Sequence, residues 1–156
     1  MDSHANTCII GPGFFPLTNA GKRSSVVPFL SSYTGVEDIK VVTEATVVTL
    51  PSEEQIILIV NQGLCFGEYT AMKHTLFNPN QLRSYGVEVQ DNTFAKEHIG
   101  IRTKQFFIPM KTSGITIYFN CTPPYERDLT LLPWVTVTIP RVWLPRKIFP
   151  QDKSTR

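Results

Sequence analysis

A chain of 156 residues with 42% apolar content is long enough for one domain plus a tail and can bury a real core. With 18% charged residues, a net charge of +2 and no basic block across residues 1–120, nucleic-acid binding is not the expected role of the domain itself. The cysteines, Cys8, Cys65 and Cys121, are odd in number, far apart and without a CxxC pair, which argues against a disulfide framework or a zinc site and for a reducing compartment. In chain order, the N-terminus is polar and lacks the basic-then-apolar pattern of a secretion signal. Residues 39–50 are rich in Val and Thr and predict a partly buried strand or a long hairpin arm with two apolar-leaning faces, one carrying Val42, Glu44, Thr46, Val48 and Leu50, the other Val41, Thr43, Ala45, Val47 and Thr49. Residues 51–54, Pro-Ser-Glu-Glu, predict a polar turn. Residues 55–60 form a continuous apolar run, short enough for a core strand and far too short to span a bilayer.

The clearest helix is short. Asn78 suits the N-cap, Pro79 the first helical position, and Gln81 completes an Asn-x-x-Gln capping box. Gly86 suits the left-handed position past its end, which leaves about two turns with Leu82 and Tyr85 facing inward. Strands follow at 87–89 and 106–108. Thr112-Ser113-Gly114 predicts a turn, and Ile115, Ile117 and Phe119 then alternate with Thr116 and Tyr118 as a half-buried strand. Beyond Cys121, Pro123, Pro124, Pro133, Pro140, Pro145 and Pro150 interrupt the pattern; Val135, Val137 and Ile139 alternate with Thr136 and Thr138 as one more strand. Residues 141–156 carry Arg141, Arg146, Lys147, Lys153 and Arg156 against Asp152 and read as a basic, Pro-rich tail. Core or tail packing is the expected role of Trp134 and Trp143.

The residues that carry chemistry come first in the chain. Asp2-Ser3-His4-Ala5-Asn6-Thr7, followed by Ile9-Ile10, places a carboxylate beside a small hydroxyl and Ala. This resembles the Asp-Ser/Thr-Gly-Ala loop of retropepsin-type aspartic proteases, with His4 standing where that loop has Gly. Tyr33, Thr34 and Gly35, running into the 39–50 strand, are similar to the flap. His74 to Val87, through Leu76-Phe77-Asn78-Pro79-Asn80-Gln81-Leu82, resembles the late helical segment, and Ser113 to Phe119 resembles a Ser-Gly-x-Thr-x-Tyr/Phe-Phe strand. Together and in this order the blocks are similar to the protease region of copia-type retrotransposon Gag-Pol polyproteins.

The resemblance implies an all-β, retropepsin-like closed barrel with one short helix over residues 1–120, followed by a Pro-rich basic tail, extension or interdomain linker over 121–156. It implies an aspartic endopeptidase that processes a polyprotein precursor and needs no metal or other cofactor. Two carboxylates about 3 Å apart share one proton, because like charges that close cannot both ionise. The chain offers one such loop, so the dyad implies a homodimer with Asp2 from each copy. Asp2 is then catalytic; Ser3 braces the two loops, Ala5 keeps the loop small, Asn6 faces substrate backbone with an uncharged amide, and His4 and Thr7 complete the loop. A protonated His4 would favour ionised carboxylates and lower the dyad pKa values. The strand that precedes this loop in the family has no counterpart ahead of Met1, so core pairing and dimer contacts are expected to be reduced. A cytoplasmic location follows, including virus-like particles, with no secretion and no membrane partner.

The competing reading is a catalytically inactive protease-like β domain that binds peptide or assembles. A β-barrel interaction domain unrelated to proteases is more distant. The scattered His4, His74 and His98 suit surface or turn positions better than a metal triad. Cys8 suits a buried structural thiol better than a nucleophile, because no Cys-His protease signature surrounds it. The Asn120-Cys121-Thr122 sequon is assigned to chance in a chain with no secretion signal.

Overall fold

The computed structural model describes residues 8–26, 36–65 and 74–139, with the backbone alone described for 18–26, 36–40 and 65. Asp2, Ser3, His4, Ala5, Asn6 and Thr7, the flap candidates Tyr33, Thr34 and Gly35, and the basic stretch from residue 140 onward lie outside the described residues.

The chain is mostly β, with few helices. In order the elements are β1 (Ile9–Ile10), β2 (Phe15–Val26), β3 (Val36–Thr49), β4 (Gln55–Cys65), α1 (Pro79–Arg83), β5 (Glu88–Gln90), β6 (Gly100–Arg102), β7 (Phe107–Pro109), β8 (Lys111–Ser113), β9 (Thr116–Tyr118), α2 (Glu126–Leu131) and β10 (Trp134–Thr136). β1, β2, β3, β4 and β10 form one five-stranded sheet; β5–β6–β7 and the β8–β9 hairpin are separate.

The centre of the large sheet is β4. Its apolar run buries Ile56, Ile57, Leu58 and Val60, so both of its faces are covered. The even-numbered side chains Ile56, Leu58 and Val60 join Ile10, Phe77, Leu82, Val87, Ile101, Ile108 and Met110 in the main core, between the large sheet, α1 and the three-stranded sheet. Ile57 lies on the opposite face with Ala45 and Val47, beneath Leu129 and Leu132 from the α2 segment. β3 likewise buries residues on both faces, with Val42, Glu44, Thr46 and Val48 on one and Val41, Ala45 and Val47 on the other, as its composition predicts. The turn at 51–54 closes the β3–β4 hairpin: Glu53 takes a positive φ of 71° and donates its N–H to the Leu50 carbonyl at 2.8 Å.

β3 runs antiparallel along one edge of β4. The other edge is shared by two parallel strands in tandem, β10 along Ile57–Ile59 and β1 along Leu64–Cys65. Between them, at Asn61 and Gln62, the backbone bulges; Gln62 has a φ of 56°, and the β3–β4 register shifts between Val42 and Glu44. Side chains take over the ladder there. The Thr138 hydroxyl accepts from the Asn61 N–H at 2.7 Å and donates to the Asn61 carbonyl at 2.8 Å. Thr138→Val keeps the shape and removes both bonds inside a fully buried site. It is expected to cost roughly 1–3 kcal/mol, read as a lower urea midpoint with unchanged m-value.

Several expectations are corrected. The large sheet is a curled half-barrel rather than a closed barrel. Its path runs β1–β4–β3–β2, and among the described residues no pairing joins β2 back to the far edge. Among the described residues five strands, two of them very short, curl without meeting. Among the described residues there are two short helices rather than one. α2 starts at Tyr125, which is no standard capping residue; the Asp128 carboxylate instead accepts the Tyr125 N–H at 2.8 Å. The segment after Cys121 supplies α2 and β10, and Val135 and Val137 are buried in the main core. Ile115 is 98% exposed because it occupies the hairpin tip between β8 and β9 rather than a strand. Tyr85 and Trp134 are also exposed, the latter on an edge strand. No helix among the described residues is long and apolar enough to cross a membrane.

Candidate active site

The helical segment forms as its sequence predicts. Asn78, with extended backbone (φ −90°, ψ 114°), accepts the Gln81 N–H on its side-chain oxygen at 2.9 Å. Pro79 opens α1, and Gly86 takes φ +82°, a conformation open to glycine without a Cβ penalty. The expected capping box is only half formed. Gln81 does not turn back to the Asn78 N–H, which donates instead to the Cys8 thiol sulfur at 3.2 Å.

The Gln81 side chain is fully buried and reaches across to β1 and β4. Its Oε1 accepts the Cys8 N–H at 2.7 Å, while Nε2 donates to the carbonyls of Asn61 at 3.3 Å and Gln62 at 3.2 Å. Cys8 is the first residue beyond the Asp2–Thr7 motif. Its carbonyl accepts from the Leu64 N–H at 3.0 Å, so its N–H, its C=O and its thiol are all engaged. Ile9, next along, exchanges both backbone hydrogen bonds with Leu76 at 2.8 Å while pairing with Leu64 on its other side. The Gly11 N–H donates to the Thr75 hydroxyl at 2.9 Å. Two residues of β1 are thus wedged between β4 and the stretch that leads into α1. Gly63 makes the wedge possible: a Cβ there would lie 2.6 Å from Ile10 Cγ1.

Burial pushes the Cys8 thiol up to about 12, partly offset by its hydrogen bond with the Asn78 backbone. A thiol so placed stays protonated at neutral pH and offers no nucleophile. Native protein is therefore expected to leave Cys8 unmodified by iodoacetamide at pH 8, with modification appearing only in denaturant; mass mapping of the alkylated peptides checks this. Among the described residues no three His, Cys, Asp or Glu side chains gather as a metal-ligand set. His74 and His98 are exposed.

Among the described residues, β2–β3 pairing continues beyond the last β3–β4 pair. The last β3–β4 pair is Lys40 with Cys65, whereas β2–β3 pairing continues to Val26 with Val36. Among the described residues, β2 and β3 are thus still paired where the described part of β4 ends. The described residues do not bring Tyr33, Thr34 and Gly35 together with Asp2, Ser3, His4, Ala5, Asn6 or Thr7, since both groups lie outside them. Sequence reading missed Gln81 as a link between elements; its position at N3 gave a local explanation that concealed the distant one.

Compared with known protein families, curated proteins and solved structures, the chain matches none.

Proposed function

We propose that the chain is an aspartic endopeptidase, hydrolysing peptide bonds with a water activated by a dyad of two Asp2 carboxylates across a homodimer. More particularly, its substrate is the polyprotein of a copia-type retroelement, cut in the cytoplasm or within virus-like particles, with no metal or cofactor in the reaction. The observation that best supports this reading is the anchoring of Cys8. A catalytic loop must hold its carboxylate to within about half an ångström, and that needs a foot with no freedom of its own. Cys8, fixed through its N–H, C=O and thiol, is such a foot one residue from the motif. The antiparallel β2–β3 pairing up to Val26 and Val36 is consistent with a flap over substrate.

In this reading one Asp2 is ionised and abstracts a proton from water, and its protonated partner donates to the scissile carbonyl. Activity then peaks at mildly acidic pH, where the pair carries one proton. The deciding experiment is cleavage of a precursor peptide by the full chain with pepstatin and with Asp2→Asn. Loss of cleavage in both supports the enzyme. Peptide binding without cleavage in the wild-type chain supports the inactive, peptide-binding reading instead, and cleavage that survives Asp2→Asn refutes the assignment.

A further inference from the structure

We propose that Gln81 is a positioning residue for the catalytic loop: it fixes the foot of that loop onto the β4 bulge and so governs the catalytic step without touching substrate. This rests on the reading of Asp2 as the catalytic carboxylate.

The hydrogen-bond inventory singles Gln81 out. A carboxamide carries one acceptor oxygen and two donor hydrogens, and here all of that capacity converges where β1, β4 and α1 meet. An apolar group is the ordinary occupant of a fully buried position such as this one. Such a group would leave the Cys8 N–H and the Asn61 and Gln62 carbonyls without these partners, at a cost that burial of extra apolar area does not recover. The bulge points the same way. Gln62 holds a left-handed φ of 56° in the middle of a strand, a conformation that costs a non-glycine residue energy and persists only where the surroundings impose it. Its carbonyl and that of Asn61 are the two to which Nε2 donates. The strained backbone and the buried amide therefore form one device, and its output is the placement of the Cys8 N–H at 2.7 Å from Oε1. Any displacement at Cys8 enters the loop directly.

Length and protonation of the side chain give the device a signature. Asparagine is shorter by one methylene and cannot span from Cys8 to both carbonyls. Glutamate has the right length, but its ionised form offers only acceptors and sets a negative charge against two carbonyl oxygens. Protonated, it regains one donor. The neutral form fits better, so its pKa in the folded state is raised, and the defect of Gln81→Glu is present above that pKa and relieved below it.

The test measures kcat and KM of the full chain on a precursor peptide for wild type, Gln81→Asn and Gln81→Glu, with Val137→Ala as a variant destabilised elsewhere in the core. Amide hydrogen exchange at Cys8 and at Leu58 is followed in the same proteins. In Gln81→Asn, kcat is expected to fall on the order of 10- to 100-fold with KM nearly constant, as a misplacement of about 1 Å would produce. Exchange should accelerate at Cys8 and not at Leu58. The ratio of Gln81→Glu to wild-type kcat should rise as pH falls, and Val137→Ala should keep its kcat wherever it is folded. Wild-type kcat in folded Gln81→Asn, or an equal loss in Val137→Ala, overturns the proposal alone. Cleavage that survives Asp2→Asn overturns the reading of the loop, and the proposal with it.

Discussion

Cleavage of a precursor peptide is expected to fall by on the order of 10³-fold or more in Asp2→Asn, because the residues of a catalytic unit fail together. An amide has no titratable proton and cannot act as a base at any accessible pH, and in a homodimer one substitution removes both carboxylates. The proposed dimeric site gives a second, sharper expectation. A mixed dimer of one wild-type and one Asp2→Asn copy keeps a single carboxylate, which cannot serve as acid and base in the same step. When wild-type chain is diluted into an excess of Asp2→Asn, activity per wild-type copy should fall in proportion to the wild-type fraction. A constant specific activity on dilution would show a site complete within one chain. The pH profile adds an independent check, because a dyad that must hold one proton loses rate on both sides of its optimum.

Leu82→Ala is expected to destabilise the chain by about 2–5 kcal/mol, the range for deleting a fully buried leucine side chain. That is a large share of the roughly 5–15 kcal/mol that holds a domain together. The physical reason is specific to α1. Five residues are far below the length at which a helix is stable by itself, so α1 exists because Pro79, Gln81 and Leu82 are buried against the sheet. Leu82 contributes most of the apolar surface of that docking. Its loss should lower the thermal midpoint, and cleavage should decline at temperatures below the global transition, because the helix that carries Gln81 loosens first. Chemical denaturation followed by far-UV dichroism gives the first number, and activity against temperature gives the second.

What could be read from the sequence was local. Asn78, Pro79 and Gly86 specify α1 through their own backbone preferences, and the structure places each as read. The apolar run of β4 and the two-faced pattern of β3 were legible because their residues are buried by composition alone. The Val135–Val137 alternation marked β10, but nothing in those residues announces a parallel partner at Ile57–Ile59. β2 was not read because Phe-Pro-Leu-Thr-Asn-Ala-Gly-Lys-Arg-Ser-Ser-Val has no period-two pattern; its pairing with β3 is irregular, with three register shifts. α2 lacked a Ser, Thr, Asp or Asn cap. The Gln81 contacts join residues 73, 20 and 19 positions away, beyond any pattern of spacing. The motif residues Asp2 to Thr7 stand where they stood in the sequence, as chemistry whose immediate neighbour is now known.

The tandem parallel strands on β4 also set when this molecule can fold. β1 must meet a strand that begins 45 residues later (Gln55 less Ile10), and β10 must return to Ile57 across 77 residues, counted from Trp134. Loop closure over such separations precedes any reward from the contacts, and high contact order slows folding. During synthesis the β3–β4 hairpin, joined by the five residues 50–54, can form early, yet one edge of β4 stays open until Thr138 has emerged. The foot of the candidate loop lies on that same edge. Among the described contacts, the last to arrive during synthesis are thus those that complete this edge of β4, so under the proposed reading competence to cut follows translation of at least residue 138.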